Sequence, residues 1–169
     1  PKLGAVKFRR YREVPESEIK AATVSVDALG KWWVSFSCDL GAAPEKLVPS
    51  SEKTIGIDLG LTHFAVLSNG GSIENPRFFR VSEETIAVRQ RVLSRKRRSS
   101  ENRRRAKTRL ALEHQRGANR RLDFCRKLAV RFFSEFDHVI HEDLNIRGLS
   151  RGTLSKSIHD VAWGIFLFC

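Results

Sequence analysis

Two carboxylates end short apolar segments of this chain. Asp58 stands in Ile55-Gly56-Ile57-Asp58-Leu59-Gly60, and Glu142 in Val139-Ile140-His141-Glu142-Asp143-Leu144-Asn145. A carboxylate inside an apolar strand is costly unless something uses it. Brought to one sheet edge, two such hard oxygen donors suit Mg²⁺ or Mn²⁺. Two such ions about 4 Å apart can activate a water and stabilise the leaving oxygen in phosphodiester hydrolysis. Taken singly, each acid has a plainer reading: Asp58 as a turn cap, Glu142-Asp143 as an exposed strand end. Only their convergence favours chemistry. His138 and His141 read as core or edge histidines rather than ligands.

Convergence depends on the elements that carry them. Thr54 to Leu59 reads as a short apolar strand and Thr62 to Leu67 as a second. Ser68-Asn69-Gly70-Gly71 is a tight hairpin turn, and Ser72 to Asn75 starts a third strand stopped by Pro76. Ser82 suits a helix cap, with Glu83 and Glu84 in the first turn. Ser99-Ser100-Glu101-Asn102 breaks that helix and caps a longer one. The apolar stripe of the longer helix is Ala118, Leu122, Cys125, Ala129, Phe132, Phe133 and Phe136, spaced by three and four. His138 to His141 is a fourth strand, and Ser155 to Trp163 a further helix. The order β-β-β-α-α-β-α predicts an α/β fold. In it a three-stranded antiparallel meander is joined by a helical crossover to a strand parallel to the first. That is the order of the ribonuclease H architecture, with strand 4 beside strand 1 and a basic helical hairpin, residues 82–136, inserted between strands 3 and 4.

Upstream, Thr23 to Val26 and Trp32 to Cys38 flank the turn former Asp27-Ala28-Leu29-Gly30-Lys31 and predict a hairpin. Lys2 to Arg9 is a candidate further strand. Pro44, Pro49, Ser50 and Ser51 mark residues 41–53 as a linker. Two domains are therefore expected, 1–48 and 49–169.

Charge separates these regions sharply. Residues 87–131 hold seventeen Lys and Arg against Glu101, Glu113 and Asp123, a net +14 that exceeds the +12 of the whole chain. A solvated helix face mixes signs; this one scarcely does. The expected partner is nucleic acid. The leading contacts are Arg95, Lys96, Arg97, Arg98, Arg103, Arg104, Arg105 and Lys107, followed by Arg120 and Arg121.

The longest apolar run, Val161 to Cys169, is far short of the roughly 20 residues of a membrane helix. Cys38, Cys125 and Cys169 are odd in number and far apart, with neither metal spacing nor a disulfide framework. This suits a reducing cytoplasm, with the first two as buried thiols. No small-molecule ligand is expected. The chain has no methionine, even at position 1, and reads as an internal piece of a longer protein.

Several motifs in order resemble the TnpB (OrfB-type) transposon proteins. Ile57-Asp58-Leu59-Gly60-Leu61, Phe64-Ala65-Val66-Leu67-Ser68 and Ile73-Glu74-Asn75-Pro76-Arg77-Phe78 resemble their first RuvC segment. Leu93-Ser94-Arg95-Lys96 through Asn119-Arg120-Arg121 and Asp123-Phe124 resemble their basic helices. Glu142-Asp143-Leu144-Asn145 resembles the second catalytic segment, and Ser157-Ile158-His159-Asp160-Val161-Ala162-Trp163-Gly164 the stretch after that segment. The resemblance spans about residues 2 to 164. It implies an RNA-guided DNA endonuclease with a RuvC-like domain, in which Asp58 and Glu142 are the first two members of an Asp-Glu-Asp metal site. It implies that residues 1 to about 48 are the end of a wedge-like β-barrel handling guide RNA and target DNA. The family continues with a zinc ribbon of paired Cys-x-x-Cys motifs and a third aspartate. Neither occurs in these 169 residues, so zinc is expected only downstream, and this piece alone is expected to bind nucleic acid without cutting it. Neither Asp143 nor Asp160 is expected to be the third ligand.

Two other readings compete. A decayed, non-catalytic binding remnant would differ only in the sequence downstream of Cys169. An actin-like or sugar-kinase-like ATPase also opens with Ile-Asp-Leu-Gly and a hairpin. Such a protein needs two ribonuclease-H-like halves, however, and has no use for a +14 crossover.

Overall fold

The computed structural model describes residues 4–11, 13–14, 18–39, 41 and 53–168. The chain divides into two compact units, Pro1–Lys46 and Leu47–Cys169.

The first unit is built on one hairpin. Strands β1 (Ile19–Val26) and β2 (Trp32–Cys38) pair antiparallel, with Val26 opposite Trp32 and Val24 opposite Val34. Asp27 organises the turn: its Oδ1 accepts the N–H groups of Leu29 and Lys31, both at 2.9 Å, and Oδ2 accepts the Trp33 indole N–H at 3.2 Å. Gly30 takes φ +80°, a conformation that glycine adopts without a Cβ penalty. The sheet has two strands and stays largely exposed, with Trp32 at 74% and Trp33 at 50%. The strand expected over Lys2 to Arg9 is corrected: residues 4–9 form no strand, the hairpin pairing only with itself among the described residues, and Lys2 and Leu3 lie outside them. The Pro- and Ser-rich linker also falls almost wholly outside them.

The second unit is a four-stranded sheet with helices on one face. Its strands are β3 (Thr54–Leu59), β4 (His63–Leu67), β5 (Ser72–Glu74) and β6 (His138–His141), in the order β5-β4-β3-β6. β3 pairs antiparallel with β4 and parallel with β6, as the meander-plus-crossover reading anticipated. The β4–β5 turn closes through Leu67 N–H to Gly71 O at 2.8 Å, with Gly70 at φ +85°. The crossover consists of α1 (Phe78–Ser94) and α2 (Glu101–Glu135), followed after β6 by α3 (Ile146–Leu149), α4 (Ser155–Val161) and α5 (Trp163–Phe166).

Strand alternation sends Ile55, Ile57 and Leu59 to the helical side, where they meet Phe64, Ala65, Cys125, Leu128, Ala129, Phe132, Ile158, Val161, Trp163 and Phe166. Each fully buried Ile, Leu or Phe in such a cluster contributes about 1.5–3 kcal/mol. Phe64 stacks edge-on against Phe124 and Phe166, with centroids 5.1 and 5.4 Å apart.

Three local expectations are corrected. α1 begins at Phe78, not after Ser82, and the Ser82 hydroxyl lies within the helix, donating back to Phe78 O at 3.1 Å. The stripe of α2 holds at Leu122, Cys125, Ala129, Phe132 and Phe136, but Ala118 and Phe133 are exposed, whereas Gly117 and Leu128 are buried. The helix expected from Ser155 to Trp163 breaks at Ala162, which adopts φ +63°. Cys125 is a fully buried thiol as expected, its Sγ 3.8 Å from Ala162 O, and Cys38 is half-buried; neither is in a disulfide.

Candidate active site

The parallel β3–β6 register places Thr54 beside His138, Gly56 beside Ile140 and Ile57 beside His141. One step further, it brings Glu142 level with Asp58. In a parallel pair, level residues project to the same face. Ile57 and His141 take the helical side, where both line a small cavity with Phe132 and Phe166. Asp58 and Glu142 take the other side. There they line one open depression of about 590 Å³ together with Gly56, Val66, Ser68 and Ile140.

This alters one step of the sequence argument. Asp58 is exposed between Ile57 at 5% and Leu59 at 6% exposure, so β3 is buried on one face only. The carboxylate therefore bears little desolvation cost. What distinguishes it is its neighbour Glu142, also exposed. Neither carboxylate has a hydrogen-bond or ion-pair partner among the described residues, so their oxygens are available as ligands. The wall beside them is tightly built. Ser68 Oγ accepts the Gly56 N–H at 3.0 Å, and a Cβ on Gly56 would meet the Ser68 Cβ at 3.4 Å.

The nearby titratable groups have other roles. His141 is exposed and borders both this depression and the small cavity on the helical side, its Nδ1 2.8 Å from Glu142 O. Asp143 is exposed, one residue further along. Asp160, 7% exposed, accepts the Phe79 N–H at the start of α1. It supplies the cap that Arg77, the left-handed residue before the helix, does not. Sequence reading missed this role: donor and acceptor are 81 residues apart, so no local capping pattern reveals it. Among the described residues, no group of three or more His, Cys, Asp or Glu is placed to hold a metal ion. The donor chemistry fits a hard divalent cation, and this part of the chain provides two carboxylates toward it.

The basic hairpin sorts its charges into two kinds. At the tip, Arg103 Nη1 donates to Leu93 O at 2.9 Å and Lys96 O at 3.2 Å, which secures the end of α1. Ser100 caps α2 by accepting the Arg103 N–H. Arg104 and Arg105 share Glu101, whose carboxyl is held below the usual carboxylate range by the Arg104 hydrogen bond. Arg95, Lys96, Arg97, Arg98, Lys107 and Arg120 are exposed and have no carboxylate partner among the described residues; Arg121 is half-buried. Among the described residues, no helix is long and apolar enough to cross a membrane.

Residues 36–153 match the OrfB_IS605 family, described as "Probable transposase". The chain is similar to a Streptomyces pristinaespiralis protein named "Putative RNA-guided DNA endonuclease", with 39% identity over 92% of this chain and 39% of that protein. It is also similar to the Escherichia coli K12 protein named "Putative RNA-guided DNA endonuclease InsQ", with 31% identity over the same shares. The chain thus spans about two fifths of the length of these relatives. With the family match covering well over half of its residues, the chain belongs to the OrfB (TnpB-type) transposase family.

Proposed function

We propose that these residues form part of an RNA-guided DNA endonuclease and hold two carboxylates of its metal-dependent, RuvC-like site. The observation that carries this reading is that Asp58 on β3 and Glu142, directly after the end of its parallel neighbour β6, line one depression on the open sheet face. The order β5-β4-β3-β6 agrees with a ribonuclease H-like nuclease fold, and the exposed hairpin of residues 19–38 with an edge of a wedge-like β-barrel. Domains 1–48 and 49–169 fit this assignment.

In this reading Asp58 and Glu142 would hold a Mg²⁺ or Mn²⁺ ion, which would supply charge stabilisation and water activation for phosphodiester hydrolysis. The protein's own part is positional. The β3–β6 ladder fixes the two carboxylates side by side, Gly56 and Ser68 shape the wall, and the hairpin tip neutralises phosphates. Target DNA and guide RNA are the partners. No membrane or small-molecule partner is involved, and the place of action is the cytoplasm. With two carboxylates at least one ion position is poorly held, so these residues alone bind nucleic acid and do not cut it.

The test is a guided cleavage assay in Mg²⁺ on this chain and on a longer protein that includes the downstream part of its relatives. The longer protein is expected to cut and to lose cutting on Asp58→Ala or Glu142→Ala. Cutting that survives Asp58→Ala overturns the site. Asp58-dependent cutting by the 169 residues alone overturns the incomplete-site reading.

A further inference from the structure

We infer that the β3–β4 turn, the start of α1 and α4 together form a pocket for one phosphodiester group of a nucleic-acid strand. It is separate from the carboxylate depression and from the basic tip. Three segments far apart in the chain wall a cavity of about 230 Å³: Thr62 from the turn, Asn75, Arg77 and Arg80 from the approach to α1, and Ser157 and Asp160 from α4. Pockets for cofactors and drug-sized molecules run from about 300 Å³ upward. This one suits a single charged group rather than a nucleotide.

The frame of the pocket is fixed and its donors are free. Asn75 spends its side chain on the backbone: Nδ2 donates to Leu61 O at 2.8 Å, and Oδ1 accepts the Arg77 N–H at 3.1 Å. That bracket holds Arg77 in the left-handed region, φ 46° and ψ 49°, which is unfavourable for any residue with a Cβ. Glycine would sit there without strain, yet the position carries a guanidinium at the cavity wall. Asp160 already caps α1 through the Phe79 N–H, so the helix end does not itself make the site. The side chains of Arg77, Arg80, Thr62 and Ser157 have no hydrogen-bond or ion-pair partner among the described residues.

Charge selects the ligand. Two guanidiniums against the one carboxylate of Asp160 leave a single positive charge. This balances a phosphodiester, with its one negative charge, better than a free phosphate or phosphomonoester, which carries close to two. Guanidinium forks and hydroxyls are common donors to backbone phosphate. Thr62 lies four residues beyond Asp58, at most about 14 Å along the chain. In the endonuclease reading, on which this placement alone rests, the phosphate held is within about four nucleotides of the one cut, at about 3.4 Å per nucleotide.

The experiment measures binding of a short fluorescent single-stranded DNA to the chain by anisotropy over a series of salt concentrations, with circular dichroism as the check on folding. Arg77→Ala/Arg80→Ala is expected to weaken binding about tenfold and to lower the log–log salt slope by about 0.7, the share of one phosphate. Arg147→Ala/Arg151→Ala removes the same charge from exposed positions outside the pocket and should cost less than about threefold. Ser157→Ala changes no charge and should weaken binding about threefold. Arg77→Gly should weaken binding while leaving the thermal midpoint unchanged or raised, because glycine relieves the left-handed backbone. Equal losses in the two double variants overturn the pocket, as does full affinity in Ser157→Ala or Arg77→Gly. Amide shifts at Thr62 and Arg80 separate the sources of phosphate. The dinucleotide dTpdT, with one phosphodiester, is expected to move them. Inorganic phosphate moving them while the dinucleotide does not would assign the pocket to free phosphate and overturn the inference. Asp58→Ala should not weaken any of this binding, so a failure of the pocket and a failure of the carboxylate site are distinguishable.

Discussion

The two ends of α2 are the same helix under opposite physical regimes. From Cys125 to Phe132 its inner face is buried against the sheet, with Cys125 at 0% and Phe132 at 3% exposure. Around its start, near Ser100, every side chain but those touching α1 stands in solvent, and charge rather than packing determines what it does. Stability should therefore be concentrated at the sheet end and nucleic-acid affinity at the tip. Substitutions at one end should leave the other property nearly untouched.

The sharpest separation comes from Phe132→Ala. It removes a ring from the core cluster and should cost about 3–5 kcal/mol in denaturant unfolding. A cost below about 1 kcal/mol would mean that the sheet end is not the stabilising end. Asp160→Ala leaves the Phe79 N–H without its acceptor and should cost about 1–3 kcal/mol. Asp160→Asn, which retains an acceptor oxygen, should recover part of that loss in the same titration. Arg103→Ala tests the boundary between the two regimes. It should lower stability by about 1 kcal/mol through the lost bonds to Leu93 and Lys96, without changing the salt dependence of binding.

Replacing Arg95, Lys96, Arg97 and Arg98 together by Ala should do the reverse. Stability should shift by less than about 0.5 kcal/mol, while the slope of log affinity against log salt on duplex DNA falls by up to about 3.6. An unchanged slope would return the tip to an ordinary solvated surface. The smallest effect is electrostatic. The folded pKa of Glu101 is depressed, first by its Arg104 hydrogen bond. Its contribution to stability is thus fully present above the unfolded pKa and lost as pH falls through the folded value. Glu101→Gln should flatten the acid limb of the stability curve slightly, read by thermal unfolding between about pH 5 and pH 2.

Much of this arrangement was legible in the residues, because turns and caps are local. Asn69-Gly70-Gly71 and Asp27 through Lys31 announce their hairpins, Ser100 announces α2, and the apolar-to-charged contrast announces the arm. The parallel placement of β6 beside β3 followed from the connection rules. What was illegible was non-local or rotational. The start of α1 depends on Asp160, far along the chain. The margins of the α2 stripe were also misplaced: Ala118 and Phe133 are exposed while Gly117 and Leu128 are buried, and periodicity does not reveal how wide the buried face is. Asp58 and Glu142 line one depression, and one premise of the sequence reading needs amendment: the Asp58 carboxylate sits on the wet side of its strand.

The continuity of α2 has a mechanical meaning. It is a 35-residue rod whose far end meets the basic tip, and only Phe136 and Asp137 separate its near end from β6, which leads directly into Glu142. From Cys125 to Glu101 the rod reaches about 36 Å at 1.5 Å per residue. Pivoting on the buried end, a tilt of about 5° carries the tip through roughly 3 Å, about one hydrogen-bond length. The same lever works in reverse. A polyanion that pulls on Arg95 through Arg98 applies its torque where the core holds α2, at Phe132, six residues before the strand that leads to a candidate ligand.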